Sequence, residues 1–197
     1  MSELTLNEDW TAGIGGGLWS TGVAMAKYFE RPEVVERLRG KRCLELGSGN
    51  GFLGAVLAST VDDCTVTVTD TEEHLELMRR TVEENKKFIV NCDERVKVEK
   101  LMWGEEGEGG GEKYDFVFGT DVAYRDYLHT PLIDALTAHM GKGSTSLIGI
   151  CMHDTTVKFF EQLEARGFVY ERLRDCMIDE KFRGTIFGLF AIEKKSS

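Results

Sequence analysis

The chain has no Cys-x-x-Cys pair, no internal repeat, no excess of basic residues and no apolar run as long as a membrane span. Each absence removes a class of function. Its five cysteines, Cys43, Cys64, Cys92, Cys151 and Cys176, are odd in number and irregularly spaced. That argues against a zinc site and for a reducing compartment, here expected to be the cytoplasm. Cys43, Cys64 and Cys151 fall in apparent strands, where a free thiol behaves as a small buried hydrophobe. The formal net charge of -10 disfavours non-specific attachment to nucleic acid or an anionic membrane, and favours a basic partner or a cationic ligand. An acidic surface also serves plain solubility. The opening MSELTLNEDW has no apolar core of the kind a signal peptide needs, so none is expected. What is present suits one domain: 197 residues with 42% hydrophobic content. Residues 1–17 read as an N-terminal extension, mobile in part, and residues 18–197 as the domain.

The organising stretch is KRCLELGSGNGFLG, residues 41–54. Cys43, Leu44 and Leu46 make a short buried strand. Gly47, Gly49 and Gly51 then alternate, and Phe52, Leu53, Ala55, Val56 and Leu57 begin an apolar helical face. Glycine permits positive φ and lets backbone approach a ligand, while the helix start offers free N–H groups. Such a strand–turn–helix unit binds nucleotide-like ligands at the carboxyl end of a parallel strand. Gly49, Gly51 and Gly54 fit G-x-G-x-x-G, and Asp70, at the end of TVTVTD, is the acid about 20 residues on that a ribose requires. These residues alone leave NAD and other adenosine cofactors both open.

Periodicity predicts helices over residues 18–30, 33–39, 52–59, a segment after Asp70, 127–140 and 156–166. Strands are expected at 42–46, 64–69, 95–101, 114–119 and 144–152, and residues 104–113 read as an acidic glycine-rich loop. The alternation implies an α/β Rossmann-like fold with a mostly parallel sheet and helices on both faces; in the strand order 3-2-1-4-5, strand four would lie beside strand one. The last two strands, 168–174 and 185–193, have no helix between them and are expected to pair antiparallel. A terminal hairpin of this kind speaks for a class I methyltransferase rather than an NAD Rossmann domain.

Further motifs sit where ligands would. Trp19 opens a helix upstream of strand one, and Trp103 follows strand three. Asp121 and Tyr124 follow strand four in GTDVAY, beside the glycine turn. Structurally, Trp19 can be core and Asp121 a helix cap. His153, in His-Asp after strand five, can be a general base, a cap or simply solvated. His74, His129 and His139 fall on helices without ligand-like spacing.

Glu45, in ELGSGNG, resembles the acid of motif I in methyltransferases that use S-adenosylmethionine. GGGLWSTGVAMAKYF, LELGSGNGFLG, VTVTD, LMWG and the D-x-x-Y of GTDVAY together resemble methyltransferase family 16, the class I protein-lysine methyltransferases with that motif. The likeness spans about residues 13–170. It implies a seven-stranded sheet in the order 3-2-1-4-5-7-6, S-adenosylmethionine as cofactor, no metal, and a protein substrate carrying a target lysine.

By this resemblance Trp19 lines the cofactor pocket. Gly47, Ser48 and Gly49 lie against the methionine part, with Glu45 supporting the turn. Asp70 holds the ribose, Trp103 packs on adenine, Thr120 lines the floor, and Asp121 and Tyr124 face the amine. Three features depart from the pattern: Thr120 where Ala or Ser is usual, His153 near a usual Arg, and the acidic glycine loop. Val122-Ala123 lacks the prolines of Asn/Asp-Pro-Pro-Tyr, which speaks against nucleic-acid bases as substrates. The alternatives are a class I methyltransferase acting on another protein residue or a small amine, an NAD-dependent oxidoreductase, and a catalytically silent methyltransferase fold used for binding.

Overall fold

The computed structural model describes residues 4–105 and 111–195. Its seven strands are β1 (Arg42–Leu46), β2 (Thr65–Asp70), β3 (Val96–Lys100), β4 (Tyr114–Thr120), β5 (Met140–Cys151), β6 (Phe168–Arg172) and β7 (Phe187–Lys194). They form one sheet in the order β3-β2-β1-β4-β5-β7-β6. Neighbours are parallel from β3 through to β5, whereas β5–β7 and β6–β7 are antiparallel. The expected order and terminal hairpin are therefore both present.

Side-chain alternation divides the core in two. On β4, Phe116 and Phe118 enter one cluster and Val117 the other, as the two-residue period of a strand requires. The first cluster takes in α1 (Ser20–Phe29), α2 (Pro32–Leu38), α3 (Phe52–Thr60) and α4 (Leu75–Asn85). The second is covered by α6 (Asp126–His139) and α7 (Val157–Ala165); the four-residue α5 (Cys92–Arg95) lies between α4 and β3. Pro32 stands at the start of α2, where a missing N–H removes no helical bond. Among the described residues no helix is long and apolar enough to cross a membrane.

Four local readings change. The spacing of Trp19, Val23, Ala26 and Phe29 picks out one face of α1, but Thr21, Gly22, Ala24, Met25, Ala26, Tyr28 and Phe29 are all buried. That helix is covered on nearly every side, so a single stripe understates its core. Cys64 precedes β2 rather than opening it, and stays buried.

Arg95 closes α5 rather than opening β3. Its guanidinium, 8% exposed, donates to the carbonyls of Cys64 (2.8 Å), Ala58 (2.9 Å), Val90 (2.7 Å) and Val61. It thereby satisfies carbonyls at the C-terminal end of α3 that have no helical partner. Finally, β5 starts at Met140, because the chain bulges there. Tyr114 pairs with Met140 but Phe116 with Thr145, and Gly143 takes φ +77° between them. Part of the expected 104–113 loop, residues 106–110, lies outside the described residues.

Gly54 fixes how closely α3 sits on the sheet. A Cβ there would overlap Val68 Cγ1 and stand 2.7 Å from Glu45 Oε2. Alanine is the better helix former by about 1 kcal/mol, but both neighbours are buried and cannot retreat. Overpacking costs about 1–3 kcal/mol. Gly54→Ala is therefore expected to lower Tm by several degrees, at about 2–4 °C per kcal/mol for a chain of this size. An unchanged or raised Tm in a thermal melt would show that α3 has room to move out.

Candidate active site

A cavity of about 610 Å³ opens at the carboxyl ends of the central strands. It lies where the strand order reverses between β1 and β4, the usual crevice of an open α/β sheet. Its floor is the glycine turn after β1. Gly47, Gly49 and Gly51 have φ of +65°, +57° and +74°. A Cβ on Gly47 would stand 2.7 Å from Val122 Cγ1 and 3.1 Å from Trp103 Cζ2, and one on Gly49 would overlap the Gly15 carbonyl oxygen. Both conformation and space demand glycine at these two positions.

Side chains lock this turn. Ser48 and Thr69 exchange bonds: Ser48 N–H donates to the Thr69 carbonyl (2.9 Å), and Thr69 N–H donates to Ser48 Oγ (3.0 Å). Asp70 accepts from Gly49 N–H and Thr71 N–H, each at 2.7 Å, and lies 3.0 Å from His74 Nδ1. Burial works to raise its pKa. The His74 ring and the two N–H donors outweigh burial and hold the carboxyl below its usual range. Glu45 lies beneath the turn, 2% exposed, and its Oε2 lacks a hydrogen bond of good geometry. Burial pushes its carboxyl to about 8, against the pull of the Ser48 hydroxyl and Gly54 N–H and with the Asp70 charge adding to the rise. At neutral pH it is mostly protonated, and so can donate as well as accept.

The wall opposite comes from the loop after β4. Asp121 takes φ +55°, and its N–H donates to the Gly149 carbonyl (2.9 Å). Its carboxylate accepts from the Thr21 hydroxyl of α1. Burial pushes its pKa up to about 6; Asp154 adds to the rise, while Thr21 and the Cys151 N–H oppose it. Tyr124 is half-buried, with the Arg125 guanidinium 5.5 Å from its ring centre. Burial, then Tyr127, raises its phenol above the usual value.

All ten residues singled out in the sequence come near one space. Trp19, Glu45, Gly47, Ser48, Gly49, Asp70, Trp103, Thr120, Asp121 and Tyr124 all line the cavity. Trp19 is 43% exposed and meets Trp10 edge-on at 5.9 Å, so it is rim rather than core. His153 is exposed and outside the lining, whereas its neighbour Asp154 is part of it. His74, read as a helical bystander, ends a 3-10 turn over Glu72–His74 and joins the wall. Its signal, the fourth place after a strand-ending acid, is visible only once Asp70 has been placed.

The N-terminal segment also contributes. Thr5 N–H donates to Asn85 Oδ1 (2.7 Å), and Asn85 Nδ2 returns a bond to the Thr5 carbonyl (2.8 Å). Arg80 reaches Asn7 Oδ1 (3.0 Å), and Glu8 Oε1 accepts from Leu18 N–H (3.1 Å). The strap so held lays Gly15 over Gly49 and beside His74.

This cavity fits an S-adenosylmethionine-like cofactor. The turn offers bare backbone, Asp70 an ionised acceptor, Trp103 a flat apolar face, and Glu45 a buried carboxyl with unused capacity. Comparison with known proteins agrees. A family model described as lysine methyltransferase matches residues 1–166. The chain is 31% identical over 183 residues to protein N-lysine methyltransferase METTL21A of Danio rerio, covering 89% of this chain and 79% of the relative. It is 27% identical over 177 residues to EEF1A lysine methyltransferase 3 of Xenopus tropicalis, covering 88% and 75%. The solved apo structure of the S-adenosylmethionine-dependent methyltransferase SibL matches at a TM-score of 0.65 and 19% identity, over 89% of this chain and 56% of that one. The ribosomal protein L11 methylase of Lactobacillus delbrueckii subsp. bulgaricus matches at 0.58 and 16%, over 82% and 75%. At such identities the structures speak for the fold alone, that of class I methyltransferases. Taken with the family match over most of its length, the sheet order and the cavity place the chain in the lysine methyltransferase family.

Proposed function

We propose that the protein transfers a methyl group from S-adenosylmethionine to the side-chain amine of a lysine in another protein, with Asp121 and Tyr124 receiving that amine. One observation carries the residue assignment: the glycine turn with Asp70 and the loop with Asp121 and Tyr124 line the same cavity. One half suits a nucleoside cofactor and the other a cationic amine. The names of the relatives in Danio rerio and Xenopus tropicalis support a lysine of a protein as the acceptor. The net charge of -10 suits a basic partner. Five free cysteines, Cys43, Cys64 and Cys92 among them buried, support a reducing, cytoplasmic setting.

When bound, S-adenosylmethionine supplies a methyl carbon made electrophilic by its sulfonium. The protein's work is then placement. Gly47, Ser48 and Gly49 present backbone to the methionine part, with Glu45 beneath them. Asp70 offers its remaining lone pairs to the ribose hydroxyls, Trp103 its ring to adenine, and Trp19 and Thr120 close the sides. Asp121, ionised above its pKa of about 6, attracts the incoming ammonium, and Tyr124 aligns it. Asp121 does not take the lysine proton for keeps: a reference lysine near pKa 10.4 outbids it by about four units. Water removes that proton, helped by burial and by the nearby positive charge, both of which disfavour ammonium.

Three outcomes are expected. S-adenosylhomocysteine at about 100 Kd should stabilise the fold by about 2.7 kcal/mol, a Tm rise of about 5–10 °C, while NAD leaves Tm unchanged. A larger shift with NAD would reverse the cofactor assignment.

Calorimetric titration should separate binding from chemistry. Asp70→Ala removes charge-assisted bonds worth about 1.5–3 kcal/mol each and should weaken S-adenosylhomocysteine at least about tenfold. Asp121→Asn should bind it within about twofold of wild type yet lose transfer by about a hundredfold or more. Equal losses of affinity in both variants would misplace Asp121.

The pH dependence of kcat should show two processes. Activity should fail below about pH 6 as Asp121 protonates. It should climb from about pH 7 to about pH 9 as the amine deprotonates. An acid limb centred near the reference histidine value of about 6.5 and abolished in His153→Ala would move the base to His153.

A further inference from the structure

We propose that Thr21 is a positioning residue for methyl transfer: its hydroxyl, delivered by the first turn of α1, holds Asp121 Oδ2 and leaves the rest of that carboxylate to the substrate amine. This rests on the assignment of Asp121 made above and adds to it a residue from the opposite side of the cavity.

The contact is built by close packing. Thr21 is fully buried, and its hydroxyl donates to Asp121 Oδ2. A glycine on β5 lets α1 come near enough. A Cβ on Gly149 of β5 would stand 3.1 Å from Thr21 Cβ and 2.8 Å from Thr120 Cγ2. A Cβ on Gly22 would stand 2.9 Å from Leu18 Cδ1 and 3.5 Å from Thr120 Oγ1. A threonine inside a helix commonly turns its hydroxyl back to a carbonyl three or four residues earlier. Thr21 is the second residue of α1, and the chain at Gly17 and Trp19 is extended, so its hydroxyl goes to Asp121 instead. Thr21 is β-branched and fully buried, which limits its hydroxyl to few directions.

The chemical effect has a defined sign. A hydroxyl can donate to an ionised carboxylate, and doing so favours the ionised form. The groups acting on Asp121 from its surroundings are Asp154 of the loop after β5, whose charge raises its pKa, and the Cys151 N–H, which lowers it. Tyr124 stands on the same loop as Asp121. With Asp154 and burial both opposing ionisation, Thr21 is the side chain that keeps Asp121 charged and aimed near neutral pH.

The test compares Thr21→Val, which keeps the shape and removes the hydroxyl, with Thr21→Ser, which keeps the hydroxyl. Thr21→Ala stands in if Thr21→Val gives no cooperative melt shifted by S-adenosylhomocysteine. The Asp121 carboxyl carbon is titrated by ¹³C NMR and assigned by its loss in Asp121→Asn. In parallel, transfer from radiolabelled S-adenosylmethionine into cell-lysate protein is followed across pH. The expected result is an Asp121 pKa raised by about one unit in Thr21→Val, and an acid limb of activity moved up by the same amount. Transfer near pH 6.5 should fall about threefold and recover towards pH 9, and Thr21→Ser should follow wild type. Thr21→Val with an unmoved titration and acid limb, or with activity lowered equally at every pH, overturns the positioning role. An Asp121→Asn variant that transfers methyl at the wild-type rate overturns the Asp121 assignment itself, whatever Thr21 does.

Discussion

One carboxylate holds the cavity in shape. Asp70 ends β2, yet it binds the N–H of Gly49 in the turn after β1 and of Thr71 ahead of the next helix, and it touches His74. Two adjacent parallel strands thus end in a common knot. That knot sets the left-handed turn at Gly47–Gly51, the entry of α3 and the seat of Gly15 on Gly49. The arrangement demands an ionised Asp70, because an acid proton would have to face two N–H donors. The low pKa of Asp70 is therefore a structural requirement of the turn itself.

Three carboxyls of one cavity are held in three states. Asp70 is kept ionised by N–H groups and His74, Asp121 is poised with a pKa of about 6, and Glu45 is pushed to about 8 with nothing cationic beside it. Near pH 7 Asp70 and Asp121 are thus ionised and Glu45 is not. Ionising all three would crowd like charges in a space of about 610 Å³. Negative charge on both the Asp70 and the Asp121 side suits a process in which a sulfonium and an ammonium must enter the same enclosure.

Much of this was legible before any coordinates. Buried parallel strands announce themselves as apolar runs, and the glycines sit where positive φ and close approach leave no substitute. Asp70 and Asp121 were found by their place after strands. The local misses have local causes. α5 is four residues long, too short to carry a period, so Arg95 at its end reads as part of the strand that follows. β5 opens early because Gly141 and Gly143, which fall between the expected helix and strand, lie within a bulge. Thr21, His74 and Asp154 share a different cause. Sequence marks them by position at most, His74 as the fourth place after Asp70 and Asp154 in the His-Asp after strand five, and only the folded chain brings α1 to Asp121 and the 3-10 turn and the loop after β5 to the cavity. The family resemblance gave roles to ten residues, and these three are not among them, although Thr21 falls within GGGLWSTGVAMAKYF.

The left-handed backbone at Asp121 has a consequence for how this chain can drift. A non-glycine residue at φ +55° is held there at a cost, and glycine or asparagine would sit there more comfortably. Either would also remove a half-buried carboxylate whose ionisation the surroundings oppose. Asparagine would also keep an acceptor for the buried Thr21 hydroxyl, so folding alone would favour it over Asp121. A lineage released from the need to transfer methyl groups would find that change close to hand and free of penalty in stability. It would leave the sheet, the glycine turn and the Asp70 knot untouched. With Asp121 in the role proposed for it, the cofactor half of such a descendant would outlast its amine-binding half, and the state of this one position would tell a working enzyme from a fold that only binds.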